Sequence, residues 1–112
     1  MTGRDPVSAS SQRTPSVDFL HALPKTDLHV HLDGSLRLAT VRELSRKHDL
    51  GYDFQTDEDV RKVCQVPDDC QSLVDYLLVF DITLKMMQER EELTRIAYEL
   101  AVDAHLENVR YM

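Results

Sequence analysis

Several features of secreted, membrane-spanning and nucleic-acid-binding proteins are missing from this sequence of 112 residues. No apolar run approaches the roughly 20 residues that a membrane-crossing helix needs. Residues 1–16 contain no apolar stretch of the kind that a secretory signal peptide requires. Basic residues are the minority, 13 against 20 acidic ones, and the net charge is −7. Because nucleic acids and anionic membrane surfaces both select for basic patches, we expect neither as a partner.

Cysteine is also scarce, and the sequence contains Cys64 and Cys70 alone. The five residues between them match neither a zinc-binding spacing nor a thioredoxin-like one. We therefore predict two unpaired thiols in a reducing compartment rather than a disulfide, and a cytoplasmic location.

Residues 1–16 differ in composition from the rest of the chain. They are rich in serine, threonine, proline and charge, which is typical of a disordered leader, so we assign the folded part to residues 17–112. Arg4 and Arg13, together with the serines, would also suit a weak organellar transit peptide, but Asp5 argues against one.

Apolar residues at helical spacing predict a series of helices in the folded part. Ser35 is expected to cap the first helix, which runs to about His48 with Val41 and Leu44 facing inward. Thr56 is expected to cap a second, shorter helix.

Two longer helices follow, at about 71–87 and 89–106. The apolar side of the second is predicted from Leu93, Ile96, Ala97, Leu100 and Ala104. Residues 109–112, "VRYM", have the composition of an opening strand. The order strand, helices, strand indicates a βα unit with an inserted helical region that leads into a second parallel strand. A two-stranded parallel sheet would leave its edges unpaired, so we expect the N-terminal piece of a longer protein.

The stretch "TDLHVHLDGS", residues 26–35, is chemically the most unusual part of the sequence. Ionisable and apolar residues alternate through it, with Asp27, His29, His31 and Asp33 interleaved by Leu28, Val30 and Leu32. In a strand, alternate side chains share a face, so the two imidazoles would stand side by side about 7 Å apart at their Cα atoms. Their nitrogens could then tilt towards one ion, and imidazole is a preferred ligand of zinc and similar metals.

The alternative is an ordinary half-buried strand whose histidine and aspartate side chains face water. The bulky apolar half, the glycine at position 34 and the helix that follows favour instead the first βα unit of a β/α barrel. Leu28, Val30 and Leu32 would then pack under helices, and the polar half would point into the barrel near its mouth. The remaining histidines are interpreted as structural: His21, His48 and His105.

Two stretches resemble the adenosine deaminase family of the amidohydrolase superfamily. They are "LPKTDLHVHLDGSL" at 23–36 and "SLVDYLLVFDITLKMMQEREELTRIAYELAVDAHLENVRYM" at 72–112, and the likeness extends over about residues 18–112. The resemblance implies an α/β fold. In it, this chain would be the N-terminal portion of a TIM (β/α)8 barrel, rich in helix, with the first strand and the start of the second.

The same resemblance implies roles for particular residues. His29 and His31 would bind the single zinc ion of a complete barrel. His31 and Asp33 would contact a purine nucleoside, with Asp33 at a ribose hydroxyl. An apolar lid over the pocket would be formed by Leu73, Tyr76 and Phe80. Ordinary core packing explains the spacing of these three residues equally well. The further zinc ligands and the catalytic residues would lie beyond Met112.

The implied reaction is the zinc-dependent hydrolytic deamination of adenosine or 2′-deoxyadenosine to inosine and ammonia, in purine salvage, by the full-length protein. Catalytic zinc sites usually have three protein ligands, so residues 1–112 alone are expected to be inactive. Two alternatives stay open: a deaminase of another aminopurine, such as adenine or a modified AMP, and a truncated product without enzymatic activity. The sequence leaves the oligomeric state open.

Overall fold

The structure is a computed structural model that describes residues 14–112, and most of the predicted leader, residues 1–13, lies outside the described part. Within residues 14–112 the elements follow in this order: α1 (Val17–Ala22), β1 (Lys25–Thr26), a 3₁₀ turn (Leu32–Gly34), α2 (Leu38–Lys47), α3 (Asp57–Cys64), α4 (Leu73–Leu78), α5 (Phe80–Lys85), α6 (Arg90–Leu106) and β2 (Val109–Tyr111). No helix in this part of the chain is both long and apolar enough to cross a membrane.

The two strands β1 and β2 pair in parallel, with Lys25 opposite Val109. The amide of Lys25 donates to the carbonyl of Asn108 at 3.0 Å, and the amide of Asp27 donates to the carbonyl of Tyr111 at 2.9 Å. The prediction of a second strand, parallel to the first and reached through a helical region, is therefore confirmed.

The first strand lies before the alternating residues and not along them, so the prediction of a strand through residues 27–32 is wrong. It covers Lys25–Thr26, and residues 28–31 continue beyond it without a strand partner in the described part of the chain. Leu28 is 84% exposed and Val30 is exposed as well. Of the three residues predicted to pack under helices, Leu32 packs against the core, whereas no element of residues 14–112 covers Leu28 or Val30.

The helix after the motif begins later than predicted. Ser35 does not cap it, because its Oγ donates instead to the carbonyl of His31 at 2.6 Å. The N-cap position of α2 is Arg37, which provides no side-chain cap. The predicted inward face is confirmed, since Val41 and Leu44 are both buried.

The second predicted helix is confirmed, and the third is divided in two. Thr56 Oγ1 accepts from the amide of Asp59, whose carboxylate accepts from the amide of Thr56 at 2.7 Å, which completes a capping box. Residues 71–87 form α4 and α5, which meet end to end. Ile82 and Met86 enter the core from the second of these helices, whereas no residue of the first is buried. The division therefore separates a core helix from a surface helix.

The helices α2 and α6 pack antiparallel through a polar seam. Its contacts, from one end to the other, are Arg37 to Asp103 at 2.6 Å, Thr40 to Glu99 at 2.6 Å, Arg95 to Glu43 at 2.8 Å and Lys47 to Glu92 at 2.9 Å. The buried face of α6 thus consists of Glu92, Ile96 and Glu99. The predicted apolar side is right at Ile96 and wrong at Leu93 and Ala97, which are exposed. Carboxylates occupy the buried face of α6 instead, because α2 supplies their partners. Glu92 accepts from Lys47, and Glu99 accepts from the hydroxyl of Thr40.

The apolar core is built by α2, α3, α5, α6 and the linker before α3. Its buried members are Val41, Leu44, Phe54, Val60, Ile82, Met86 and Ile96. Ile96 packs there from the same helix face that carries the polar seam, so one helix joins the apolar core to the paired charges.

Ile96→Ala is expected to lower the free energy of unfolding by about 2–5 kcal/mol, because it removes a fully buried branched side chain and leaves a cavity. Urea unfolding followed by circular dichroism measures the change. Tyr98→Ala is the matched control on the same helix, since Tyr98 is 70% exposed, and it should change stability by less than about 0.5 kcal/mol. Equal losses from the two substitutions would contradict this description of the core.

Candidate functional site

The two histidines of the motif lie side by side, with their rings facing each other. Nε2 of His29 and Nε2 of His31 are 2.7 Å apart. The ring centroids are 4.8 Å apart and the ring planes are inclined by 19°. The prediction that the two imidazoles share one side of the chain is therefore confirmed, although the strand that was expected to impose it ends earlier.

The donor set of this pair suits a divalent metal ion. Two nitrogen lone pairs at this separation repel each other unless a proton or a cation lies between them. A neutral imidazole has one protonated nitrogen and one acceptor nitrogen, so one Nε2 donates to the other in the metal-free pair. A metal ion satisfies both lone pairs at once, and imidazole nitrogen is a ligand that zinc favours. His29 and His31 would supply two ligands of such a site.

Short-range hydrogen bonds hold the backbone around the pair. The amide of His29 donates to Oδ1 of Asp27 at 3.2 Å, and Ser35 Oγ donates to the carbonyl of His31. The 3₁₀ turn then brings Oδ1 of Asp33 to 3.8 Å from Nδ1 of His31. The segment thus presents two imidazoles and a carboxylate together.

A cavity of about 650 Å³ opens beside the histidine pair. Its polar wall carries the side chains of His29, His31 and Asp33, and its apolar wall carries those of Tyr76, Leu77, Phe80 and Leu84. This volume lies within the range of about 300–1,000 Å³ that is typical of small-molecule sites, which also combine an apolar lining with a few polar groups. The cavity can therefore hold a ligand of nucleoside size against the histidine pair.

The cavity collects most of the residues that were predicted to contact substrate. Those that line it are His31, Asp33, Tyr76 and Phe80. Leu73 lies outside the lining, near the beginning of α4, where it is 73% exposed. Leu77 and Leu84 line the cavity but were not singled out for the site. Their positions three residues before and four residues after Phe80 would have indicated them, since side chains at those spacings share a helix face.

Gly34 is the point where the apolar wall meets the motif. A Cβ at this position would lie 3.2 Å from Cε1 of Phe80, closer than carbon atoms normally approach. The ring of Phe80 in turn packs on Tyr76, with ring centroids 5.7 Å apart. The missing side chain at position 34 therefore allows the aromatic wall to rest directly on the backbone beside the histidine pair.

Comparison with known proteins gives a consistent set of similarities. The family model described as adenosine deaminase matches residues 24–112. The adenosine deaminase of Vibrio atlanticus is 46% identical over 99 residues, which are 86% of this chain and 28% of that protein. The adenosine deaminase of Clostridium perfringens is 44% identical over 90 residues, which are 80% of this chain and 27% of that protein. The chain thus spans little more than a quarter of the length of these relatives. No solved structure matches it significantly.

Gly34→Ala is expected to be less favourable to stability in the parent protein than in a Phe80→Leu background, with a coupling of about 0.5–1 kcal/mol, because the new methyl group meets the ring of Phe80. In the Phe80→Leu background the side chain that it would meet is shorter. Denaturant unfolding of the four proteins of this double-mutant cycle measures the coupling. An equal effect in both backgrounds would show that the two residues are not in contact.

Proposed function

Because this chain belongs to the adenosine deaminase family, we propose that the full-length protein hydrolytically deaminates adenosine or 2′-deoxyadenosine. The products are inosine, or its 2′-deoxy counterpart, and ammonia, and the reaction serves purine salvage. The observation that carries the proposal is the pair of imidazole nitrogens 2.7 Å apart in the polar wall of a cavity. The names of the relatives support the substrate class, and the histidine pair supports metal-assisted hydrolysis.

The position of the motif supports a barrel architecture for the full-length protein. The motif directly follows β1, so it lies at the carboxyl end of a strand in a parallel sheet. Barrel enzymes place their active sites at that end of the strands. We infer that β1 and β2 are the first two strands of a (β/α)8 barrel.

His29 and His31 are proposed as two ligands of one zinc ion, with the further ligands and the catalytic residues outside residues 1–112. A zinc ion bound there would supply a water molecule whose pKa is lowered to near neutrality. The chain's own contribution is to hold the two Nε2 atoms close together, 2.7 Å apart, on the side of the cavity. The bonds from His29 to Asp27 and from Ser35 to His31 fix the backbone on either side of that point.

Asp33 is proposed to bind the ribose end of the substrate. Its carboxylate is acceptor-only when ionised, lines the cavity and lies beside His31, so it can accept a hydrogen bond from a sugar hydroxyl while the base reaches the metal. His31 borders the same space and would contact the base. This arrangement favours a ribose-bearing substrate over free adenine.

The aromatic wall is proposed to cover the purine base and to exclude water from it. Tyr76 and Phe80 form a tilted aromatic pair that can stack against a flat heterocycle, and Leu77 extends the same surface. Leu73 is proposed as the outer edge of this lid.

A reducing compartment such as the cytoplasm suits Cys64 and Cys70, which are both free thiols.

His29→Ala or His31→Ala in the full-length protein should remove most of the bound zinc at this site. Each should lower adenosine turnover by at least about a thousandfold, because metal activation of water supplies several kcal/mol of the barrier reduction. Elemental analysis and the absorbance loss of adenosine measure the two effects. His105→Ala changes an exposed histidine outside the cavity and is the matched control. Full turnover in either motif variant would overturn the proposal.

Asp33→Asn should lower kcat/KM for adenosine by about 10- to 100-fold. This is the loss expected when a hydrogen bond to a charged group is weakened. The effect on any residual turnover of free adenine, which lacks the ribose, should be much smaller. Asp81→Asn, which neutralises another carboxylate in the cavity lining, controls for a change in local charge. A loss of the same size on adenosine and adenine would exclude the ribose contact.

A further inference from the structure

A second group of metal-ligating side chains lies where the end of α2 meets the start of α6. His48 is the C-cap residue of α2, Glu89 is the N-cap residue of α6, and Glu92 lies in the first turn of α6. One ligand atom from each of these residues lies within 4.8 Å of the other two. The two helices are antiparallel along the polar seam, which is why residues so distant in sequence meet at this end.

The state of Glu92 shows that this group is not an ordinary surface cluster. Glu92 is 3% exposed. Its Oε1 accepts hydrogen bonds from Lys47 Nζ, at 2.9 Å, and from His48 Nε2. Its Oε2 is buried and has no hydrogen-bond partner among residues 14–112. A buried carboxylate oxygen without a partner is unfavourable, and it has a lone pair free to bind a cation.

Lys47 marks the position at which a cation is already stabilised. Its ammonium donates to Glu89 and to Glu92, each at 2.9 Å. Lys47 is half exposed on a flexible stem, so its ammonium can withdraw into solvent.

We propose that His48, Glu89 and Glu92 form a divalent-cation site, at which a zinc-like metal ion displaces the Lys47 ammonium and the proton between His48 and Glu92, and that proton is released to solvent. One imidazole and two carboxylates are a ligand set for Zn²⁺ and neighbouring transition metals rather than for Ca²⁺ or Mg²⁺, which prefer oxygen ligands alone. The site is distinct from the histidine pair of the motif, since none of its three residues lines the 650 Å³ cavity. Its role is structural, because it ties the two helices of the polar seam together at one end. It does not depend on the proposed deaminase activity.

The test counts and titrates zinc in the tag-free, full-length protein. Substituting His29→Ala and His31→Ala first removes two ligands of the motif site. We expect about one zinc ion per chain to remain, held by three protein ligands. Adding His48→Gln or Glu89→Gln should weaken its binding in calorimetric titrations by about tenfold or more. Glu107→Gln, at the exposed C-cap of α6, is the matched control and should leave binding unchanged.

Lys47→Ala keeps the test informative even where loss of a ligand destabilises the protein. It removes the competing ammonium and leaves all three ligands, so zinc should bind about tenfold more tightly or better. The apo form should melt at a lower temperature than the parent, and zinc should restore the loss. The proposal is overturned if His48→Gln and Glu89→Gln leave the zinc affinity unchanged, or if Lys47→Ala leaves it unchanged. Either result would identify Lys47 as the permanent cation of the cluster.

Discussion

The approach of Nε2 of His29 to within 2.7 Å of Nε2 of His31 is the interaction on which the site depends. Two imidazole nitrogens hold this separation with a proton between them, and a tetrahedral zinc ion bound to both at about 2.0–2.1 Å would move them apart by roughly half an ångström. Two hydrogen bonds hold the backbone around the pair without a regular strand. The amide of His29 donates to the carboxylate of Asp27, and the hydroxyl of Ser35 donates to the carbonyl of His31. A metal ion that binds here meets ligands already gathered on one side, so little reorganisation opposes its binding.

The rest of the fold carries the segment that holds this pair. Its N-terminal side is fastened by the parallel bonds of β1 to β2, and its C-terminal side leads into α2, which the polar seam attaches to α6. Since α6 runs directly into β2, the seam and the sheet support the same short loop from both of its ends. Phe80 approaches the loop from α5, and the bare backbone at Gly34 permits that contact. The apolar wall and the metal ligands are therefore positioned by different helices that meet at one turn.

Local patterns in the sequence predicted the elements whose causes are local. Alternation placed the two imidazoles on one side, the Thr56 cap was recognisable from its partner Asp59, and helical spacing identified the buried positions Val41 and Leu44. Alternation does not show where a strand finds its partner, so the strand was predicted at residues 27–32 but lies at Lys25–Thr26.

Burial on α6 was harder to predict, because hydrophobic periodicity cannot show that a glutamate is buried when its cation comes from another helix. Glu92 and Glu99 were missed for that reason, and with them the interaction of His48 with Glu92. Leu77 and Leu84 were missed for a different reason, because their shared helix face with Phe80 was not used to extend the predicted lid.

The most direct measurement of the central claim is a crystal structure of the full-length, zinc-loaded protein with anomalous-scattering data at the zinc edge. A peak within about 2.0–2.1 Å of both Nε2 of His29 and Nε2 of His31, beside the cavity lined by Asp33 and Phe80, is the expected result. A zinc ion bound through only one of the two imidazoles, or rings that point to opposite sides of the chain, would contradict it.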